Sequence, residues 1–99
     1  MHRMGSGEPI LFVDARPDFE WENSAVKLPG AIRVPPGEVT RHLDEIAEWA
    51  PIVTYCSLSD QEYSFDVAAD LKQNRRRLAR PLRGGLEAWQ QAGQPVVPK

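Results

Sequence analysis

The sequence predicts an α/β domain with a parallel central sheet of four to five strands and helices on both faces. Apolar, β-branched segments alternate along the chain with segments of helical spacing, which is typical of strand–helix–strand units. The apolar segments are nearly continuous, as in strands that are covered on both sides. Ligands of such sheets bind beyond the carboxyl ends of the strands.

The first strand is predicted over residues 9–14, an almost continuous apolar run. Pro17 begins a short helical turn, because proline suits the first turn of a helix. The turn signal at residues 28–30 leads into a second short strand at residues 31–34, which a proline pair ends.

A longer helix is predicted from Pro36 to Trp49 or Ala50, since apolar residues recur there every three or four positions. Pro51 ends this helix, and residues 52–55 form the third strand.

The second half of the chain continues the alternation. A helix with an apolar stripe from Tyr63 to Leu71 follows a polar loop, and residues 78–82 predict a weaker fourth strand. A last helix begins after Gly84 and ends near Gly93. The basic run at residues 75–77 is expected to complement the end of the preceding helix. The three tryptophans are expected to be core or half-buried anchors, at positions 21, 49 and 89.

Composition favours one small domain without nucleic-acid or membrane contacts. The chain has 99 residues, 41% of them hydrophobic, with a net charge of −2, which suffices for a single core. We expect one domain over residues 1–99, with residues 1–9 a flexible N-terminal segment and 10–98 the domain itself. No apolar run approaches a membrane span or a secretory signal, so we expect a cytoplasmic protein. Interspersed charges give no general attraction to nucleic acid.

Cys56 is the only cysteine, and it stands where a predicted strand passes through a polar loop into a helix. The unpaired N–H groups of a helix N-terminus favour a thiolate and a bound anion. A buried structural cysteine is the alternative, but the polar residues that follow make it less attractive. We predict Cys56 to be a nucleophile at the rim of the core, with the next eight residues as an anion cradle: Ser57, Leu58, Ser59, Asp60, Gln61, Glu62, Tyr63 and Ser64.

Five spaced blocks resemble a rhodanese domain over roughly residues 10–98. They are residues 13–16 with Glu20, residues 28–32, residues 53–56, residues 81–89, and Gly93 with residues 95–96. The resemblance implies a sulfurtransferase that needs no metal or cofactor. Its cysteine takes a sulfane sulfur from a donor such as thiosulfate, becomes a persulfide, and passes the sulfur to cyanide or a thiol. The implied partners are a small anionic or thiol-borne sulfur donor and a thiol acceptor.

Other residues are expected to support the site. Arg83, beside two glycines, is the best candidate for an anion contact outside the cradle. Asp14 and Arg16 stand at a strand end, where the family pairs such residues with Glu20 or with backbone. We expect these three to hold the loop structurally.

The loop departs from the commonest rhodanese pattern. It is about two residues longer and has no arginine, and it contains Asp60 and Glu62. Lys27 replaces the family's usual histidine before the turn. Carboxylates repel a dianionic donor, so we expect weak turnover with thiosulfate and better loading from uncharged or thiol-borne sulfur.

Two other functions stay open on sequence grounds. A cysteine phosphatase or arsenate reductase uses a related loop, but relies on a loop arginine that this chain lacks. A non-catalytic binding or regulatory module would use the loop to recognise a partner. The short segment before Ile10 also suggests part of a larger polypeptide, with apolar surface left for a parent chain or partner to cover.

Overall fold

The computed structural model describes residues 10–57 and 62–99. Its main sheet contains four parallel strands, which confirms the predicted fold class. These strands are β1 (Leu11–Asp14), β3 (Ile32–Arg33), β4 (Ile52–Tyr55) and β5 (Ala79–Pro81), and their order across the sheet is β3-β1-β4-β5. β1 therefore lies inside the sheet, where Val13 pairs with Ile32 on one side and Thr54 on the other.

The helices cover the two faces of this sheet. They are α1 (Asp18–Glu22), a 3₁₀ helix (Val39–Glu45), α2 (Glu62–Gln73) and α3 (Gly85–Gln91). Successive strand residues point to opposite faces, so neighbouring residues of β1 belong to different cores. Val13 packs with residues of α2, whereas Phe12 packs with Trp89 of α3. Phe12 and Trp89 meet edge to face, with ring centroids 5.4 Å apart.

A small antiparallel pair was absent from the sequence prediction. β2 (Val26–Lys27) pairs with β6 (Val97–Pro98) near the end of the chain. Two residues are too few for a strand periodicity to be visible.

The helix predicted from residue 36 to about residue 50 is wrong in extent and type. The structure has a 3₁₀ helix over Val39–Glu45 instead. Its end is fixed by Arg76, whose guanidinium donates to the carbonyl oxygens of Leu43 (2.7 Å) and Ile46 (2.7 and 3.0 Å). A distant side chain thus supplies donors to these carbonyls in place of further helical turns, and the Leu43 carbonyl also accepts from Ile46 N–H at 3.1 Å.

Two further expectations need correction. Of the three basic residues after α2, Arg76 mainly binds the 3₁₀ helix, and only its Nη1 binds near the end of α2, at the Asn74 carbonyl. Trp49 is 72% exposed, so its predicted anchor role is wrong. Trp21 is half-buried and Trp89 buried, as expected.

No helix in the described part of the chain is long and apolar enough to cross a membrane. The predicted flexible segment at residues 1–9 lies outside the described residues, as does any cover that it gives to the sheet.

Candidate active site

Cys56 follows directly after β4, and its main chain is held on both sides. The Tyr55 carbonyl accepts from Ala15 N–H at 2.8 Å, and the Cys56 carbonyl accepts from Leu86 N–H at 2.8 Å. One bond therefore ties the strand end to β1, and the other ties the cysteine to the first turn of α3. This turn requires Gly84, which has φ of +81° and whose added Cβ would meet Ala88 Cβ at 2.5 Å.

The thiol is buried, with Cys56 only 1% exposed. This corrects the expectation of a thiol at the rim of the core, because the residue is almost completely removed from solvent. A buried thiol at this position is shielded from other thiols in solution.

Ser64, in the first turn of α2, lies beside the thiol. Its Oγ is 3.9 Å from Cys56 Sγ, within reach of a hydrogen bond from the thiol, and Ser64 is completely buried. Its carbonyl oxygen accepts from Thr54 Oγ1 at 2.8 Å, which ties α2 to β4. Ser64, which the sequence analysis assigned to the anion cradle, therefore lies in contact with the thiol, and the first turn of α2, with its positive dipole end, borders the sulfur.

Glu20, on α1, reaches the residue after the cysteine. Its Oε1 accepts from Ser57 N–H at 3.2 Å, and the Ser57 carbonyl accepts from Glu87 N–H at 3.1 Å. A carboxylate from one helix and an amide from another thus fix the peptide that leaves Cys56. Glu20 was expected to support this region structurally, and its contact is with the loop backbone.

Asp14 and Arg16 form a buried ion pair next to the cysteine. Arg16 Nη2 lies 2.7 Å from Asp14 Oδ2 and its Nε lies 2.9 Å from Oδ1, with the side chains 0% and 1% exposed. Nη2 also donates to the Val26 carbonyl at 2.9 Å. Burial disfavours the charge on Arg16, but the hydrogen bond and charge of Asp14 outweigh it, and the pKa of Arg16 lies above its ordinary value.

Tyr55 completes this network, and the sequence analysis did not single it out. Its hydroxyl donates to Asp14 Oδ2 at 2.7 Å and accepts from Leu28 N–H at 3.1 Å. Burial, reinforced by the Asp14 charge, raises the pKa of Tyr55 far above its usual range, so the hydroxyl stays neutral and keeps donating. A tyrosine at the end of an apolar strand, immediately before a lone cysteine, was the available signal.

The other predicted site residues are Arg83, Glu62, Tyr63 and the four residues 58–61. Arg83 is exposed in the β5–α3 connection and makes no hydrogen bond or ion pair with another described residue. Tyr63 is half-buried in the first turn of α2, which begins at Glu62. Four predicted cradle residues lie outside the described residues: Leu58, Ser59, Asp60 and Gln61. Within residues 10–57 and 62–99, no three His, Cys, Asp or Glu residues are grouped as metal ligands.

A protein-family model matches most of the sequence. The model for the rhodanese-like domain matches residues 1–92. The chain belongs to the rhodanese-like domain family.

Curated relatives carry two different descriptions. A protein named sulfurtransferase from Allochromatium vinosum is 30% identical over 95 residues, spanning 96% of this chain and 85% of that protein. A protein named HTH-type transcriptional regulator Rv0324 from Mycobacterium tuberculosis is 32% identical over 96 residues, spanning 97% of this chain but 41% of the regulator.

A solved structure supports the fold. The crystal structure of the BH2092 protein from Bacillus halodurans superimposes with a TM-score of 0.81 at 24% identity, covering 98% of this chain and 70% of that one.

Proposed function

We propose that this rhodanese-like domain is a sulfurtransferase in which Cys56 carries the transferred sulfur as a persulfide. The observation that supports it best is the placement of a buried thiol at the carboxyl end of β4, 3.9 Å from a serine in the first turn of α2. A sulfur carrier needs a positioned thiolate and protection of its persulfide from stray thiols. A buried sulfur beside a helix N-terminus suits both needs.

The proposed reaction has two displacements at sulfur. After the thiol has lost its proton to solvent, the Cys56 thiolate attacks the outer sulfur of thiosulfate. The sulfur–sulfur bond of the donor breaks, and its electron pair leaves with sulfite. An acceptor, cyanide or a thiolate, then attacks the outer sulfur of the persulfide. The bond to Sγ breaks, and its electron pair returns to Cys56 as thiolate.

The supporting residues have separate roles in this proposal. Residues 57–64 cradle the transferred sulfur and the donor, and Arg83 attracts anionic donors from the exposed β5–α3 connection. Asp60 and Glu62 oppose a dianion, so thiol-borne or uncharged sulfur should load faster than thiosulfate. We further propose a cytoplasmic location with a thiol acceptor, and that the domain is part of a larger polypeptide.

Intact-mass measurement tests the proposal directly. Protein with a verified reduced thiol is incubated with thiosulfate or with a low-molecular-weight persulfide. We expect one added sulfur mass, its removal by cyanide with release of thiocyanate, and no addition in Cys56→Ser. Thr40→Ala, which removes an exposed hydroxyl of the 3₁₀ helix and keeps the thiol and the cradle, is the control and should load as the parent protein does. Absence of loading from every donor would contradict the proposal.

A regulatory module is the second candidate, because one curated relative is named a transcriptional regulator and is more than twice as long as the matched region. In that case the site would hold or sense sulfur without turnover. The same measurement separates the two functions. A persulfide that forms but is discharged by neither cyanide nor thiols would favour the module, whereas repeated turnover favours the transferase.

A further inference from the structure

A groove borders the amino ends of the strands, at the sheet edge opposite Cys56. Two adjoining cavities of about 260 and 400 Å³ open there, and Arg77 lines both. A strand of four residues spans about 13 Å, so the length of β4 separates this surface from the thiol. We call it the amino-edge groove, and its cations and exposed apolar side chains are Lys72, Arg75, Arg77, Arg80, Trp49 and Leu78.

The amino-edge groove is rich in positive charge, whereas the chain as a whole has a net negative charge. Among the described residues, four cations line the groove and Glu48 supplies the one carboxylate, although the whole chain carries a net charge of −2. The ion pairs formed among the described residues all lie elsewhere, so none neutralises these four cations. Such a field attracts an anionic partner.

Arg76 stabilises the fold, whereas the arginines on either side of it do not. Its guanidinium is used by three main-chain carbonyls, including those of Leu43 and Ile46. Arg75 and Arg77 on either side are exposed, and their side chains make no hydrogen bond to another described residue. One arginine of the run therefore stabilises the fold, and two are left in the walls of the groove.

The groove also presents apolar surface. Trp49 is 72% exposed and Leu78 is 51% exposed, and the other two exposed large hydrophobic residues among those described are Phe19 and Phe65. The Leu78 carbonyl accepts from Ile52 N–H at 3.3 Å, so the sheet fixes the backbone of this residue. Exposed apolar side chains next to cations typically mark an interaction surface.

The mixture of charge and aliphatic surface distinguishes between possible ligands. A nucleic acid would use the cations and stack on Trp49, but would gain little from Leu78 and the strand starts. A simple anion would use the cations alone. An acidic peptide with an apolar side chain uses both parts of the surface.

We propose that the amino-edge groove binds an acidic segment of a partner protein. Carboxylates of the segment pair with Lys72, Arg75, Arg77 and Arg80, while an aromatic or long aliphatic side chain packs against Trp49 and Leu78. This surface is independent of the sulfur chemistry, so a partner could bind here while Cys56 reacts at the other edge.

Fluorescence anisotropy with the full chain tests the proposal. The probe is a labelled synthetic peptide in which acidic residues flank a central leucine and phenylalanine, and a second peptide replaces those two by serine. We expect saturable binding of the first and about tenfold weaker binding of the second. Arg77→Glu and Trp49→Ala should each weaken binding about fivefold to tenfold. Amide chemical shifts should change around Leu78 and leave the surroundings of Cys56 unaffected.

Matched controls decide the outcome. Arg41 and Phe65 are exposed outside the groove, so Arg41→Glu and Phe65→Ala should bind the probe as the parent protein does. Equal weakening by Arg41→Glu would mean unspecific charge attraction and would overturn the proposal. So would equal binding of the serine peptide, tighter binding of a single-stranded oligonucleotide than of the probe, or self-association that Trp49→Ala abolishes.

Discussion

The two edges of the sheet use charge in opposite ways. At the carboxyl edge, Asp14 and Arg16 are buried and joined by two short contacts, and Tyr55 adds a third partner. At the amino edge, Arg75 and Arg77 are exposed without a carboxylate partner among the described residues. Buried charges must be paired, because desolvation is costly. Exposed charges tolerate the lack of a partner, and can therefore serve binding.

Removal of Asp14 should give the largest effect on stability. Asp14→Ala leaves Arg16 buried without its carboxylate, which should lower the free energy of unfolding by about 3–5 kcal/mol. Asp18→Ala is the control, because the Arg33–Asp18 pair at 2.6 Å is exposed and should contribute less than about 1 kcal/mol. Urea denaturation measures both. If Asp14→Ala does not fold, Asp14→Asn, which keeps one of the two acceptor oxygens, should fold with an intermediate loss. Equal losses for Asp14 and Asp18 would contradict the contrast between buried and exposed pairs.

Tyr55→Phe should give a smaller loss than Asp14→Ala, about 1–3 kcal/mol, because it leaves the buried Leu28 N–H without its acceptor. Tyr63→Phe is the matched control.

The stability that the Tyr55 hydroxyl contributes should also depend on pH. Burial raises the pKa of Tyr55 above the ordinary value of 10.0, so the folded state keeps a proton that the unfolded state loses. The free energy of unfolding should therefore fall by up to about 1.4 kcal/mol per pH unit above about pH 10.

Urea midpoints measured on both sides of the ordinary tyrosine pKa check this dependence. Tyr55→Phe should remove the share of the alkaline loss that the Tyr55 hydroxyl causes. An identical alkaline slope in the parent protein and Tyr55→Phe would show that the Tyr55 hydroxyl ionises as readily in the fold as in solution.

Glu20 should act as a positioning residue at the carboxyl edge. Glu20→Ala removes the acceptor of Ser57 N–H, which should cost about 1 kcal/mol of stability and slow sulfur loading of Cys56 about tenfold through misplacement of the loop. Glu20→Gln keeps an acceptor oxygen and should restore most of the rate. Single-turnover loading followed by mass spectrometry measures this. Glu22→Ala, on the exposed side of the same helix, is the control, and a rate loss as large there would contradict the role.

Trp49→Ala should have the smallest effect on stability, within about 0.5 kcal/mol, because the side chain is largely in water. Trp89→Ala gives the contrast. Its ring is 7% exposed, and its Nε1 donates to the Pro95 carbonyl at 2.7 Å, so its removal should cost about 3–5 kcal/mol. Thermal or urea unfolding measures both. A marked loss in Trp49→Ala would mean that the indole is covered, and would weaken the case for a binding groove.

Strand positions were largely predictable from the sequence. Residues 52–55 were predicted to form a strand and do so as β4, and β1 and β5 lie within their predicted ranges. Continuous apolar runs identify buried strands without reference to the rest of the chain. The segment from residue 36 to residue 50 was not predictable in this way, because its end depends on Arg76, thirty residues away.

The site was predictable in part. The position of Cys56 after a strand, and its closeness to Ser64, followed from the order of elements. The burial of the thiol and the role of Tyr55 did not, because each depends on contacts across the fold: Leu86 on the Cys56 carbonyl, and Asp14 on the Tyr55 hydroxyl. The roles predicted for Cys56, for residues 57–64 and for Arg83 stay predictions.

The sequence by itself determined the α/β class, the membership of the family and the position of the thiol, because these depend on periodicity and on the order of residues along the chain. The tertiary structure alone decided which charges are paired. Arginines 16, 76 and 77 are the same residue type in the sequence, yet the first is in a buried ion pair, the second binds carbonyls of a distant helix, and the third lines an open groove. Burial and partners are properties of the folded surroundings, and these set the free energy of each charge.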